Sequence, residues 1–372
     1  MYPRTEPPFR ADHVGSLLRP RSLVQARHDA AAGRIDAARL RAVEDEAIRD
    51  VVTLQEDIGL RAATDGEFRR TSWHMDFVYR LGGVTRTDDE IVVTFRNDEE
   101  SGEFIAAGLA VREPLHLDEP IFADDFRFLA EQVRTAVPKM TIPAPSMVHF
   151  RSGIAAVDRT VYPDLDRFWA DLSEVYADEL RALAALGCRY VQLDDTSLAC
   201  LNDPAQRAML AARGEDADQA LLRNIRVINA AVADRPEGMR IAVHTCRGNF
   251  RSSWAAAGSY DHVAEALFGE LDVDAFFCEF DDDRSGGFAP LRFVPPGKQV
   301  VLGLVTTKRG RLEDRDMLRR RIEEAAEYVP LDQLCLSPQC GFSSTVEGNV
   351  LNPHQEVDKL RLVVQVAEDV CG

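Results

Sequence analysis

Apolar residues in this chain fall into short runs that end in polar or small side chains, and a stretch of helical spacing follows each run. Eight runs have this form: "RADHVGS" (10–16), "LRAATDGEF" (60–68), "KMTIPAPS" (139–146), "CRYVQLDDT" (188–196), "MRIAVHTC" (239–246), "DAFFCEFDD" (274–282), "QVVLGLVTT" (299–307) and "LCLSPQC" (334–340). Several are almost continuously apolar, the pattern of parallel strands covered on both faces. Between them, Leu40, Val43, Ala47, Val51, Leu54 and Ile58 make one helical stripe, stopped by Gly59. Phe168, Leu172, Val175 and Leu183 make a second, with Glu179 as an imperfection on the apolar face and Gly187 placed to end it. Leu221, Ile225, Ile228 and Val232 make a third. A last helix opens with Asn352 as N-cap and Pro353 in the first turn.

Eight strand-then-helix units predict an α/β fold, a single (β/α)8 TIM barrel. The largest insertion is about 82–128, where "EIVVTF" and "FIAAGLAV" are spaced to pair as a β-hairpin excursion after the second strand. A second is the polar stretch 197–216 after the fourth strand. No linker rich in Pro, Gly or Ser divides the chain, which reads as one catalytic domain over 1–372.

Charge narrows the partners. Sixty-two acidic residues against 44 basic ones give a formal charge of −18, with no basic block. That argues against nucleic acid or an anionic membrane as a partner, because phosphate binding needs clustered Lys and Arg. No apolar run approaches the roughly 20 residues that span a bilayer. The opening "MYPRTEPPFRADHVGS" lacks the apolar core of a secretory signal. Seven scattered cysteines, an odd number, argue against a disulfide framework and favour a reducing, cytoplasmic setting.

In barrels of this kind the chemistry sits at the carboxyl ends of the strands. Reading only those ends gives Gly15 and Ser16, Asp65 and Glu67, Asp194 and Asp195, His244 and Cys246, Glu279, and Cys340. His244 and Cys246, two apart, share one face of a strand. With Glu279 and Cys340 they make an imidazole, two thiolates and a carboxylate, a set suited to a borderline-soft tetrahedral ion such as Zn²⁺. Cys278 rivals Glu279, and adjacent strand residues point oppositely, so only one of the two faces the mouth. Taken singly, a strand cysteine is most often a small buried hydrophobe, and a buried histidine a hydrogen-bonded core residue. A structural zinc usually draws its ligands from short knuckles, so donors spread over separate strand ends suit an open, working metal better.

Seven motifs, "FRADHVGSLLRP", "TDGEFRR", "YVQLDD", "HTCRGNF", "CEFDDDRSG", "LGLVTTK" and "LSPQCGF", resemble in residues and in order the cobalamin-independent methionine synthase family, above all its short single-barrel members. The resemblance implies a zinc-dependent methyltransferase with the metal on His244, Cys246, Glu279 and Cys340. It places the carboxylate of homocysteine at Val14, Gly15 and Ser16, and its ammonium at Glu67 and Asp194, the candidate catalytic carboxylates. The implied methyl donor is methyltetrahydrofolate or a methylated corrinoid protein. Two departures stand out. The long members carry an extra N-terminal barrel that helps hold the polyglutamate tail of folate, and this sequence has none. They also have a His-Ser-Pro after the seventh strand whose histidine is implicated in proton delivery. Here the stretch reads "GLVTTK", with Val305 at that place, which leaves His13, His74 and His149 as other proton sources. The expected function is methyl transfer to the thiol of homocysteine, giving methionine. Two alternatives stand beside it: a zinc-dependent alkyltransferase that opens epoxides with another thiol such as coenzyme M, whose sulfonate would call for basic residues, and a zinc- or thiol-binding protein without turnover.

Overall fold

A computed structural model describes residues 5–97 and 101–371. Its strands, in chain order, are β1 (Ala62–Ala63), β2 (Gly82–Arg96), β3 (Ser101–His116), β4 (Val137–Pro143), β5 (Tyr190–Asp195), β6 (Arg240–Thr245), β7 (Ala275–Glu279), β8 (Gln299–Val305) and β9 (Leu334–Pro338). Seven of them form one curled parallel sheet in the order β1-β4-β5-β6-β7-β8-β9, each strand beside its sequence neighbour. Seven of the eight apolar runs are therefore strands of that sheet. The run 10–16 enters differently, as a single parallel bridge from Ala11 to Leu336 of β9. Asp12 N donates to Leu336 O at 3.0 Å and Leu336 N to Arg10 O at 2.8 Å. Beyond Asp12 the ladder stops because the backbone turns to other partners: His13 N donates to Asp12 Oδ1, and Gly15 sits at φ +140°.

Strand alternation sorts the core into two layers. Tyr190, Ala242, Phe277, Val301 and Cys335 pack with Phe9 and Val14 on the concave side, while their neighbours Val191, Val243, Phe276 and Val300 belong to the larger cluster under the helices. One buried cation crosses the concave side. Lys139 Nζ lies 3.1 Å from Asp12 Oδ1 and 2.5 Å from His13 O, and Tyr190 Oη donates to Asp12 Oδ2 at 2.9 Å. These bonds tie the segment 10–16 to β4 and β5.

The helical stripes appear where the spacing predicts them, as Ala37–Ile58, Leu165–Ala185, Ala217–Val232 and Pro353–Cys371. Gly59 closes the first at φ +99°, and Asn352 Oδ1 accepts from Gln355 N in the cap of the last. Glu179 is fully buried and accepts from Ile121 N at 2.7 Å and Phe122 N at 2.9 Å, so the apparent flaw in its stripe holds the end of the 82–128 segment. The polar stretch 197–216 begins with a buried turn, Ser197–Cys200, before it reaches the surface.

Strands β2 and β3 form a separate antiparallel ribbon in which Val93 pairs with Phe104 and Phe95 with Gly102. It folds back over the carboxyl end of the large sheet. Arg96 N donates to Trp254 O and Trp254 N to Arg96 O, both at 2.8 Å, and Phe95 and Phe104 pack on Phe250. Among the described residues no helix is long and apolar enough to cross a membrane, and six cysteines are free.

Glu356, in the last helix, is buried with Leu18 N as its hydrogen-bond donor, and burial pushes its carboxyl up to about 8. Folding therefore retains a proton that the unfolded chain loses near pH 4.3, so stability falls as pH rises through that window, and the loss is complete above about pH 8. Glu356→Gln keeps the acceptor and removes the titration. Its melting temperature is expected to exceed that of the wild type by more at about pH 8 than at about pH 5. Equal offsets at both would show that Glu356 titrates normally in the fold.

Candidate active site

The pleat decides which side chains meet. His244, near the end of β6, points to the concave side, and Thr245 points away, with its Oγ1 3.0 Å from Tyr260 Oη. Cys246 returns to the side of His244. At the end of β7, Glu279 faces inward, whereas Cys278 faces Thr245, 3.8 Å from its Oγ1. This settles the rivalry between the two in favour of Glu279. Cys340 arrives from the loop after β9. The donor atoms of His244, Cys246, Glu279 and Cys340 all lie within 4.8 Å of one another, and the two sulfurs are 3.5 Å apart.

These four groups are buried and short of partners. Neither nitrogen of His244 makes a hydrogen bond, nor does Oε2 of Glu279. Buried polar atoms left this way cost about 1–3 kcal/mol each unless something else satisfies them. A tetrahedral ion with ~2.3 Å bonds to sulfur holds two sulfurs ~3.8 Å apart, close to the spacing present. The donor set and its orphaned atoms therefore fit a metal ion. Without one, the hydrogen bond between the sulfurs holds the Cys340 thiol well below its ordinary range and pushes that of Cys246 well above it. Glu279 is hydrogen-bonded at Oε1 and faces two cations at Oε2. Its Oε1 accepts from Arg247 N at 2.8 Å, while Arg284 Nη2 and Lys308 Nζ stand 3.5 and 4.0 Å from Oε2.

Glu67 and Asp194 line the same cavity as His244, Cys246 and Cys340, as do Val14 and Ser16. Counted out to its open mouth, the cavity is ≈ 1000 Å³. Glu67 follows β1 in a tight turn. Gly66 and Glu67 both take positive φ, +67° and +60°, and Asp65 Oδ1 accepts from Glu67 N at 2.9 Å. For a glutamate that backbone costs on the order of 1–3 kcal/mol, a strain typical of functional positions. Thr141 Oγ1 donates to Glu67 Oε1 at 2.8 Å and Arg70 Nη1 lies 3.5 Å from it, but Glu67 Oε2 has no hydrogen-bond partner. Asp194 receives 2.7 Å from Gln192 Nε2, two residues back on the same strand face. Asp195 points outward and accepts from Ser146 Oγ, from Ser197 Oγ at 2.8 Å and from Leu198 N at 2.6 Å, a structural cap. Burial raises the carboxyls of both Glu67 and Asp194. Asp194 reaches about 7, with the Glu67 charge adding to burial against the opposing pull of His244. The cavity thus holds two buried acids, one of them with Arg70 beside it.

Gly15 and Ser16 are held by contact with the rest of the site. A Cβ on Gly341 would sit 1.9 Å from Ser16 Oγ, and one on Gly15 would sit 2.6 Å from Thr141 Cγ2. Of the three candidate proton sources, His74 lines the cavity, whereas His13 and His149 are buried away from it. Burial above all holds them down, to about 4 for His13 and about 3 for His74 and His149. Val305 belongs to the apolar cluster under the helices. Several lining residues escaped the reading of strand ends: Trp73, Met147, Arg151, Asn249, Phe250 and the ribbon's Ile91, Phe95 and Phe104. Asn249 and Phe250 follow the ligands directly in "HTCRGNF" and carried a local signal. The ribbon carried none, because its role depends on folding back.

The chain belongs to the cobalamin-independent methionine synthase family, whose catalytic-domain model, the cobalamin-independent synthase catalytic domain, matches residues 9–369. It is 45% identical over 364 residues to the uncharacterised protein YxjH of Bacillus subtilis, covering 98% of this chain and 95% of that one. It is 23% identical to a methionine synthase of Pyrococcus furiosus, over 88% of this chain and 85% of the relative. A structure described as a candidate vitamin-B12-independent methionine synthase from Listeria monocytogenes superposes with a TM-score of 0.80 at 37% identity, covering 99% of this chain and 100% of the other.

Replacing Cys246 or Cys340 by Ser is expected to lower bound zinc from about one equivalent to a small fraction of that. Thermal melting of the apo forms should change little, because the ligands sit at the rim of the sheet. Elemental analysis beside circular dichroism measures both. Full zinc content in both variants would show that these donors do not form a metal site.

Proposed function

We propose that this protein is a zinc-dependent S-methyltransferase that places a methyl group on the thiol of homocysteine, giving methionine. One observation carries the reading: His244, Cys246 and Cys340 of a clustered His-Cys-Glu-Cys donor set, in which both imidazole nitrogens and Glu279 Oε2 lack hydrogen-bond partners, share a cavity with the buried carboxylates of Glu67 and Asp194. Zinc held by His244, Cys246, Glu279 and Cys340 would supply the Lewis acidity that keeps a substrate thiol deprotonated at neutral pH. The protein's own groups do the rest. Two thiolates and a carboxylate make the surroundings anionic, which keeps the substrate sulfur electron-rich and nucleophilic. Glu67 and Asp194 hold the ammonium, and the turn at Val14, Gly15 and Ser16 takes the carboxylate, so the thiol is aimed at the metal ligands. Glu279, hydrogen-bonded at Oε1 by Arg247 N and with Oε2 lacking a hydrogen-bond partner, would complete the ligand set. The bridge at Ala11 supports reading the segment 10–16 as the first strand of a closed (β/α)8 barrel with β2 and β3 as its hairpin insertion. We place the protein in the reducing cytoplasm, where two thiolate ligands persist.

The donor narrows on physical grounds. Burial holds His13, His74 and His149 well below the ordinary imidazole range, so none of these three offers an imidazolium to a methyl-bearing nitrogen that must be protonated before it leaves. A methylated corrinoid or another donor needing no protonation should therefore exceed methyltetrahydrofolate. The test incubates zinc-loaded protein and homocysteine with such a panel and reads methionine. Absence of methionine with every donor would reject the methyltransferase reading, and fast turnover with the folate alone would reject the donor argument.

Glu67→Gln and Asp194→Asn preserve shape and remove a charge facing the ammonium. Charge-assisted hydrogen bonds contribute roughly 1.5–3 kcal/mol, so homocysteine affinity should fall by about tenfold or more. Binding of 2-mercaptoethanol, which lacks the ammonium, should barely change. Calorimetric titration of both thiols decides it, and equal losses would make the two carboxylates structural.

A further inference from the structure

We propose that Arg151 and Ser152 form a subsite for an acidic group, a carboxylate, sulfonate or phosphate, on the second, methyl-carrying substrate. The inference rests on the S-methyltransferase reading and extends it to the class of donor. Both residues follow β4 and line the cavity that holds the donor cluster. The guanidinium of Arg151 has only neutral partners: Gln206 Oε1 at 3.3 Å from Nη1, Cys200 Sγ at 3.9 Å from Nη2, and the Phe150 ring at 4.9 Å. Among the described residues no carboxylate lies within ion-pair distance of it, although the chain carries 62 acids against 44 bases. By contrast Arg70, in the same region, stands 3.5 Å from Glu67. Ser152 Oγ is buried and has no hydrogen-bond partner.

The surroundings define what such a cation would take. His74 lies near enough to feel the charge of Arg151, and its Nδ1 is 3.1 Å from Ser72 Oγ. Being neutral, it adds no charge but offers a polar edge. Much of the remaining wall is apolar, built from Trp73, Met147, Phe250 and the ribbon's Ile91 and Phe104. An apolar wall with one unpaired guanidinium and one free hydroxyl suits an apolar body that ends in an anion, since a planar guanidinium binds oxyanions through paired hydrogen bonds that strengthen away from water. Homocysteine does not need this subsite, because Glu67, Asp194 and the turn at Ser16 account for both its charged groups.

Trp73 lines the cavity, so tryptophan fluorescence can follow binding to zinc-loaded, homocysteine-saturated protein. The probes are butanoate, butanesulfonate, butyl phosphate and neutral butanamide, and their order identifies which anion the subsite prefers. At least one anion should bind about tenfold tighter than butanamide. Arg151→Gln should abolish that difference and leave homocysteine affinity unchanged. Arg151→Lys should restore part of it, and Ser152→Ala should weaken the anion a few-fold. If Arg151→Gln does not fold, the Lys and Ala variants carry the same comparison. The proposal is overturned if all four probes bind alike, if none binds at millimolar concentration, or if Arg151→Gln weakens homocysteine as much as the anion. Failure of the underlying reading would look different: homocysteine itself would not bind, while anion selectivity in the homocysteine-free protein persisted.

Discussion

A side chain on a β-strand has two directions available, and in this sheet one direction leads to the cavity and the other to the apolar layer under the helices. The spacing of two between His244 and Cys246 therefore carries both to one place, and the spacing of one between Cys278 and Glu279 separates them. The same alternation sends Gln192 and Asp194 inward as donor and acceptor and turns Asp195 outward, where it caps the buried turn at Ser197–Cys200. A slip of one residue in β7 would exchange a carboxylate at the donor cluster for a thiol and drive a charge into the hydrocarbon layer. The register of the parallel ladder is thus a constraint on chemistry as well as on packing.

That constraint also explains how much could be read from the residues alone. Strand ends are local and their parity is countable, so the donors, Glu67 and Asp194 were visible in the sequence, and the structure clusters the four donors and lets His244, Cys246 and Cys340 share a cavity with both carboxylates. Parity alone left Cys278 and Glu279 open, because it does not say which of two neighbours faces inward. The first run looked like a full strand by its apolar residues, yet Asp12 and His13 divert its backbone after a single bridge. Glu179 looked like a blemish because its partners, Ile121 N and Phe122 N, lie some 60 residues earlier in the chain. The cavity roof was invisible for the same reason: nothing in "EIVVTF" announces that Ile91 and Phe95 will line a cavity beside Phe250, some 150 residues downstream.

Electrostatically the site is divided. One part gathers two sulfurs and three carboxylates under heavy burial, and the cost shows in the raised carboxyls of Glu67 and Asp194 and in the orphaned oxygens of Glu67 and Glu279. The other part, around Arg151, leaves a cation without an acid in a chain rich in acids. Such arrangements are costly for an empty protein and become favourable once ligands of the opposite sign arrive. The left-handed backbone at Glu67 belongs to the same account, since local strain is accepted to aim one carboxylate.

The fit between Ser16 and Gly341 has a consequence for how the protein is made. Ser16 O accepts from Phe342 N, and Arg19 Nη1 reaches Ser343 O and Thr345 O at 3.0 Å, so the first wall of the cavity is fastened by groups more than 320 residues downstream. Translation proceeds at about 5–20 residues per second, so the stretch around Ser16 must wait roughly 16–65 seconds for its partners to leave the ribosome. During that interval Arg19 lacks the carbonyls it will finally bind, and the donor cluster lacks Cys340. A metal bound by all four of these donors would therefore load late, after synthesis of the last strand, and a nascent chain stalled before residue 340 would present only His244, Cys246 and Glu279.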